Sequence, residues 1–159
     1  MVNKKRKELL TTGTIARNKK ASFNYFLEEK LEAGLELYGS EVKSLRLGKA
    51  SITEAYVAVA DDHLELVNAT IEEYPGATFF QHKPTRPRRL LMHKKEMKKF
   101  IGGVKRKGYT IIPVSLYFNS RGIAKVEIAL ATGKKLFDKR ETQKQRDWNR
   151  EKSRLMKRG

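Results

Sequence analysis

Cysteine is absent from this 159-residue chain, which removes disulfides and thiolate metal sites from consideration. Proline is scarce: four in all, three of them between residues 74 and 89, so the breakers of regular structure are gathered in one segment. No apolar run approaches the length of a membrane-spanning helix. The opening MVNKKRKELL has a basic start with no apolar stretch behind it, and reads as neither a signal peptide nor a membrane anchor. Neither a phosphate-cradling GxxxxGK[ST] loop nor a serine nucleophile elbow occurs. Acid is the scarce charge, 18 Asp and Glu against 35 Lys and Arg, for a net charge of +17.

Hydrophobic residues make up 39% of the chain and charged residues 33%. That supports one compact core with chain left outside it. The basic excess favours a polyanionic partner, since each neutralised phosphate releases condensed counterions. The charge is also blocked: net +6 over residues 1–20, −7 over 21–82, +10 over 83–107, +1 over 108–132 and +7 over 133–159. A merely soluble coat would mix the signs throughout. Nucleic acid is the leading partner, ahead of an anionic membrane surface, for which the tail has too few apolar residues.

The patterning is mainly β. Residues 1–13 are polar and basic and are expected to be disordered. From Ala21 the alternation of Phe23, Tyr25 and Leu27 predicts a strand, with a turn at Ala33-Gly34 before a second strand over 35–38. Ser40 would cap a short helix over GSEVKSLRLGK, with Glu41 in its first turn and Gly48 ending it. EAYVAVADDHLELVNATI predicts a hairpin turning at Asp61-Asp62. Residues 74–89 read as an irregular connection. Leu90, Met97, Ile101 and Val104 then share a helical face, with fraying expected at Gly102-Gly103. A last hairpin has Ile112, Val114, Leu116 and Phe118 on one face of 110–118, and Ala124, Val126, Ile128 and Leu130 inward on 123–131. Pro113 removes a ladder donor, which predicts an edge or a bulge there. Six short strands and two helices fit a small barrel, for which the OB type is one candidate.

Catalytic signals are weak. Asp61-Asp62-His63-Leu64-Glu65 could be read as metal ligands, but paired aspartates are ordinary turn formers and Leu64 and Leu66 continue a strand. His82 and His93 lack a local carboxylate partner and read as surface or RNA-contacting side chains. The acids lie in a different block from the bases, which disfavours a metal-dependent ribonuclease. Binding signals are stronger. Arg86, Arg88 and Arg89 precede a helix, and arginine both grips phosphate and stacks on bases; the plain alternative is a solvated cationic face. In ARNKKA (16–21), Asn18 can read a base edge while Lys19 and Lys20 hold phosphate. A ribosomal protein with a basic extension is the main rival reading.

Specific words then carry a resemblance: ARNKKA at 16–21, LEAGLEL at 31–37, GSEVKSLR at 39–46, PTRPRRLLMHKKE at 84–96, KGYTIIPVSLYF at 107–118, GKKLFDKR at 133–140 and a final W…RLM. The chain resembles the SsrA-binding family, small protein B, the bacterial partner of transfer-messenger RNA in rescuing stalled ribosomes. The resemblance implies a small antiparallel OB-type barrel over 14–132, a few short helices, and a basic tail over 133–159 that is disordered when free and helical in the empty messenger channel of the ribosome. It also implies a monomeric, cytoplasmic RNA-binding adaptor with no catalysis, cofactor or metal. The family's RNA-contacting positions fall on Asn18, Glu32 and Leu91, supported by Lys19, Lys20, Arg86, Arg88 and Arg89. The ribosome-contacting tail would use Lys134, Lys135, Phe137, Asp138, Lys139, Arg140, Lys144 and Arg146, with Trp148, Leu155 and Met156 sharing an apolar face. Phe137 stands where family members often carry histidine, so stacking would survive there without a ring nitrogen.

Overall fold

Strand β1 (Gly13–Arg17) leads through a one-turn helix α1 (Ala21–Asn24) into the long strand β2 (Tyr25–Leu35). Helix α2 (Gly39–Arg46) follows, then β3 (Ala50–Ser51), β4 (Tyr56–Val59), β5 (Leu64–Val67) and β6 (Thr70–Ile71). After an irregular stretch come β7 (Arg88–Leu91), helix α3 (Lys94–Lys107), the hairpin β8 (Thr110–Phe118) and β9 (Ala124–Gly133), and helix α4 (Leu136–Lys157). This computed structural model describes residues 9–134 and 136–157, with backbone alone at 136–138. Residues 1–8 of the expected N-terminal arm, and the side chains of Lys135, Phe137 and Asp138, lie outside the described residues.

All pairings among the described residues are antiparallel; β3 and β6 form a separate two-stranded sheet, and the others form a circuit: β8 to β4, β5, β7, β2, β9 and back to β8, with β1 added along β8. The seam between β4 and β8 is one bridge, Val57 to Ile111, whereas β9 is paired along most of its length on both sides. This is the mainly β, antiparallel class expected. Inside the circuit lie Leu45, Leu64, Leu66, Phe100, Leu116 and Val126, all at most 1% exposed. The inward set expected on β9, Ala124, Val126, Ile128 and Leu130, belongs to this core.

Several local expectations are corrected by tertiary packing. The chain at Ala21 makes a helical turn first, so the strand begins at Tyr25. No turn occurs at Ala33-Gly34, because β2 runs straight through it. Gly34 is needed there for a different reason: a Cβ would meet the Leu91 Cβ at 3.3 Å, where β7 crosses close. Leu90 belongs to β7 rather than to a helical face. Helix α3 continues through Gly102-Gly103, because Leu130 packs where a Gly103 side chain would be, at 3.1 Å. The Pro113 bulge is present, between Pro113 and Ser115. It also shifts the strand's phase, so Ile111, Leu116 and Phe118 face the core while Ile112 joins a separate cluster with Ala21 and Ala131. The single inward face expected for 112–118 is therefore split. The described residues hold nine strands and four helices; the short strands β1, β3, β6 and β7 carry too little alternation to announce themselves.

The N-cap of α2 is Tyr38 rather than Ser40. Glu41, three residues into the turn, accepts the Tyr38 backbone N–H at 2.9 Å, one arm of a capping box. The same carboxylate accepts from Arg86 Nη2 at 2.6 Å and from Arg88 Nε at 2.5 Å. Both Glu41 and Arg88 side chains are fully buried. Arg88 spends its remaining donors on the carbonyls of Ala69 and Pro84, at 2.8 and 3.0 Å. Burial draws Arg88 below its ordinary value and Glu41 opposes this; a guanidinium stays charged regardless. His82, expected at the surface, is buried beside this cluster, bonded to Ser40 Oγ and to the Ile71 carbonyl, each at 2.9 Å. One carboxylate thus joins α2, β7 and the 72–87 connection.

Arg88→Ala, which leaves Glu41 buried without its closest cation, is expected to cost about 3–5 kcal/mol in urea unfolding; an unmoved midpoint would show the pair to be dispensable. Acid should act through the same group. Burial pushes the Glu41 carboxyl up, but Arg86, the Tyr38 N–H and Arg88 outweigh it and hold it below the ordinary 4.5. Because the folded value is the lower one, its stabilisation is complete above the unfolded value and fades as pH falls through the folded one. Stability of Glu41→Gln should accordingly fall less steeply below pH 4.5 than that of the parent chain.

Candidate nucleic-acid interface

The outer face of the circuit is set by alternation. Along β2, Lys30 and Glu32 are exposed while Ala33 is buried. Along β7, Arg89 and Leu91 face out while Arg88 and Leu90 face in. The register sets Glu32 opposite Glu127 and Gly34 opposite both Lys125 and Leu91. Glu32, Leu91 and Lys125 therefore share one patch, with Leu91 left 51% exposed and Lys125 Nζ 3.8 Å from where a Gly34 side chain would stand. Like charges directly opposite on a sheet destabilise it. Here Tyr117 partly offsets the pair by donating its hydroxyl to Glu32 Oε2. Burial, then the neighbouring Glu32 and Glu127, push the Tyr117 phenol well up, so it remains a donor.

Asn18 closes β1. Its backbone N–H donates to the Val114 carbonyl at 2.9 Å and its Nδ2 to the Pro113 carbonyl at 3.1 Å. The Pro113 bulge thus doubles as the seat of Asn18, whose Oδ1 is buried with no hydrogen-bond partner among the described residues. Beside it, Lys19 is exposed and Lys20 lies 3.9 Å from Glu54 at the surface. Asn18 borders an open cleft of about 640 Å³ that also takes in Arg17, Lys19, Ser22, Glu127, Arg146 and Arg150. Through Glu127 the Asn18–Lys19 turn and the Glu32 patch meet along one stretch of surface.

The arginine triplet does not stay together. Arg88 is enclosed by Glu41, which removes it from the surface set. Arg86 is one-quarter exposed, held by Glu41 and lying 4.3 Å over the Tyr38 ring. Arg89 alone is openly exposed, opposite Glu65 in the register. The triplet also belongs to a connection and a strand, while α3 begins only at Lys94, with His93 exposed at its cap.

The tail leaves β9 through Lys134, whose Nζ donates to the Ser22 carbonyl at 2.8 Å and to Thr142 Oγ1 at 2.7 Å. It lies 4.9 Å over the Phe26 ring. Midway along α4, Arg146 donates to Ser22 Oγ at 2.8 Å and sits 5.5 Å over Phe23. The first half of helix α4 is thus stitched to α1. Lys139 is half-buried, Arg140 exposed, and Lys144 lies 3.8 Å from Glu141 at the surface. Trp148, Leu155 and Met156 are 58%, 64% and 75% exposed.

Nothing in the local sequence marks Lys125, Tyr117 or Arg150 as site residues. Lys125 was legible only as an outward strand position; the register that joins it to Gly34, 91 residues earlier, has no local signal. His63 is bracketed by Asp62 at 3.0 Å and Glu65 at 2.9 Å, and those two carboxylates raise its pKa. Among the described residues, no group of three His, Cys, Asp or Glu could hold a metal ion, and no helix is long and apolar enough to cross a membrane.

Comparison with known proteins supplies the family. The family model described as "SmpB protein" matches residues 15–158. The SsrA-binding protein of Rickettsia canadensis is 57% identical over 143 residues, covering 90% of this chain and 94% of that one. That of Rhizorhabdus wittichii is 54% identical, covering 90% and 89%. A chain in a solved structure described as "tmRNA-SmpB: a journey to the center of the bacterial ribosome" aligns with a TM-score of 0.63 at 42% identity, covering 76% of this chain and 84% of that one. With a match from residue 15 to residue 158 and relatives more than half identical along nine-tenths of its length, this chain belongs to the SmpB family of SsrA-binding proteins.

Proposed function

We propose that this protein is the RNA-binding adaptor that carries transfer-messenger RNA to stalled bacterial ribosomes, performing no chemistry itself and working in the cytoplasm. The observation that carries the reading is the outer patch of Leu91, Glu32 and Lys125. An apolar side chain left half in water between a carboxylate and an ammonium suits an unstacked base: Leu91 supports its face, Glu32 accepts from an amino group, and Lys125 holds the adjoining phosphate. Lys19, Lys20 and Arg17 extend the grip along the same surface, and Arg89 borders it. The relatives' names, the tmRNA-SmpB neighbour and the net charge of +17 all support this direction.

The tail is the second half of the device. Among the described residues its apolar stripe is left largely exposed, and its cations are spread around the helix. A channel walled by ribosomal RNA offers both missing partners, phosphates for Lys139, Arg140 and Lys144 and a surface for Trp148, Leu155 and Met156. In this reading the tail is ordered by the empty messenger channel, with Lys134, Lys135, Phe137 and Asp138 at the point of entry and the folded body spanning 14–132.

Glu32→Gln is expected to weaken transfer-messenger RNA binding about tenfold while leaving the circular dichroism spectrum intact. Asn18→Ala should weaken it similarly, with about 1 kcal/mol of stability lost through the Pro113 bond. Unchanged affinity in both would take these residues out of the site. Truncation after Gly133 should keep most of the RNA affinity and abolish tagging on stalled ribosomes. Loss of both together would show that grip and probe are not separable.

A further inference from the structure

Helical and strand packing accounts for most of the apolar side chains, but not for the tip of the 72–87 connection. Phe79 is 101% exposed and Phe80 57%, with Tyr38 beside them at 47%. Two adjacent phenylalanines standing in water are a cost that a folded domain normally removes. The tip is also built rather than loose. Gln81 clasps its base, accepting the Tyr74 N–H at 3.1 Å and donating to the Tyr74 carbonyl at 2.8 Å. Ala77 closes a turn onto the same carbonyl, and Gly76 lies so near the Tyr74 ring that a Cβ would meet it at 3.0 Å.

The rings are ordered among themselves. Phe80 stands edge-on to Tyr38 at 5.0 Å between centroids, and Arg86 covers Tyr38 at 4.3 Å. Arg86 is in turn held by Glu41 and by the Glu36 carbonyl. Lys43 lies 5.4 Å over Tyr74. Phe79, Phe80, Tyr74, Lys43 and the first residues of α2 line a cleft of about 300 Å³, at the small end of ligand-site volumes and ample for one planar heterocycle. No Leu, Ile, Val or Met lines it.

We infer that Phe79 and Phe80, braced by the Arg86–Tyr38 pair, form a stacking platform for one unpaired base of transfer-messenger RNA; this rests on the RNA-binding reading of the barrel. Aromatic faces with a cation at their margin, and no aliphatic packing, are the composition that grips single-stranded bases without reading their sequence. The platform continues the proposed grip. Glu32, Gly34, Glu36 and Tyr38 follow one another along the outer side of β2 and its extension, and Leu91 and Arg89 run beside them on β7. An RNA strand leaving Leu91 along this line arrives at Tyr38. Lys43 is placed for the phosphate that follows the stacked base.

The test uses the full chain and intact transfer-messenger RNA. Phe79 packs against nothing that would unfold when it is removed, so Phe79→Ala is expected to fold normally and to bind about fivefold or more weakly. Phe79→Trp should restore affinity and Phe79→Leu should not. Glu32→Gln, measured alongside, reports on the barrel itself. If Phe79→Ala and Phe80→Ala both bind as tightly as the parent while Glu32→Gln binds weakly, the platform is wrong and the barrel reading stands. Rescue by Leu would mean apolar contact rather than stacking, and would overturn the platform too. Retained RNA affinity with lost ribosome binding would assign the rings to a ribosomal partner instead. If no variant weakens binding, the barrel reading falls and takes the platform with it.

Discussion

A carboxylate without water has to be surrounded by donors, and that requirement organises this protein around Glu41. Three donors converge on it from separate parts of the chain: the Tyr38 N–H, Arg86 and Arg88. Isolating such a charge costs several kcal/mol, which only close pairing offsets. The pairing therefore fixes where β7 lies relative to α2, and so which residues of β7 face out. Leu91 and Arg89 are exposed because Arg88 is committed inward. Arg86 covers Tyr38 because Glu41 holds it there. The outer stripe is a consequence of an interior ion cluster, so a change to the hidden Arg88 would disturb RNA binding without Arg88 touching RNA.

This is also where sequence reading reaches its limit. Features decided by neighbours in the chain were legible: the Asp61-Asp62 turn, the inward set of β9, the end of α2 near Gly48, and the Pro113 bulge. Features decided by distant contacts were not. Gly34 looks like a turn former, yet its paired strand β7 brings the Leu91 Cβ to 3.3 Å from where a Gly34 Cβ would stand. Gly102-Gly103 looks like a helix end, yet Leu130 occupies the space beside Gly103. Arg88 and Arg89 are adjacent and chemically alike, and nothing local says that one is buried and the other wet; the partner that decides it is 47 residues away. Of the candidate site, Asn18 was legible as an amide beside two lysines, Glu32 and Leu91 came from the family's words, and the register brings Lys125 and Tyr117 to those two.

The exposed face keeps a conflict that the interior resolves. Glu32 and Glu127 oppose each other across β2 and β9, an arrangement that a sheet built for stability alone would replace. Tyr117 relieves part of it from a third strand. Asn18 shows the same asymmetry in neutral form, with its amide nitrogen bonded and its oxygen left over. The second oxygen of Glu32, exposed on this face, is an acceptor that Tyr117 does not use. Such acceptors suit a partner that brings amino groups along with phosphates, as an RNA with unstacked bases does.

Helix α4 separates two requirements that a folded core usually meets together. Its first half is held to the body, where Lys134 and Arg146 bond Ser22 and cover Phe26 and Phe23. Its cohesion is local, through side-chain pairs four residues apart such as Gln143 with Asp147 and Gln145 with Asn149. Each such pair contributes only a few tenths of a kcal/mol, and most of a helix's stability in a protein comes from packing an apolar face rather than from propensity. Trp148, Leu155 and Met156 would have to be covered for packing to add to that, and the chain leaves them exposed. The energy that would hold the far end must therefore come from outside the chain. In the proposed reading an anionic tunnel would supply it along the full length of the helix, whereas a neutral one would engage only the stripe, so occupancy of the tail would respond to the charge of its surroundings as well as to their shape.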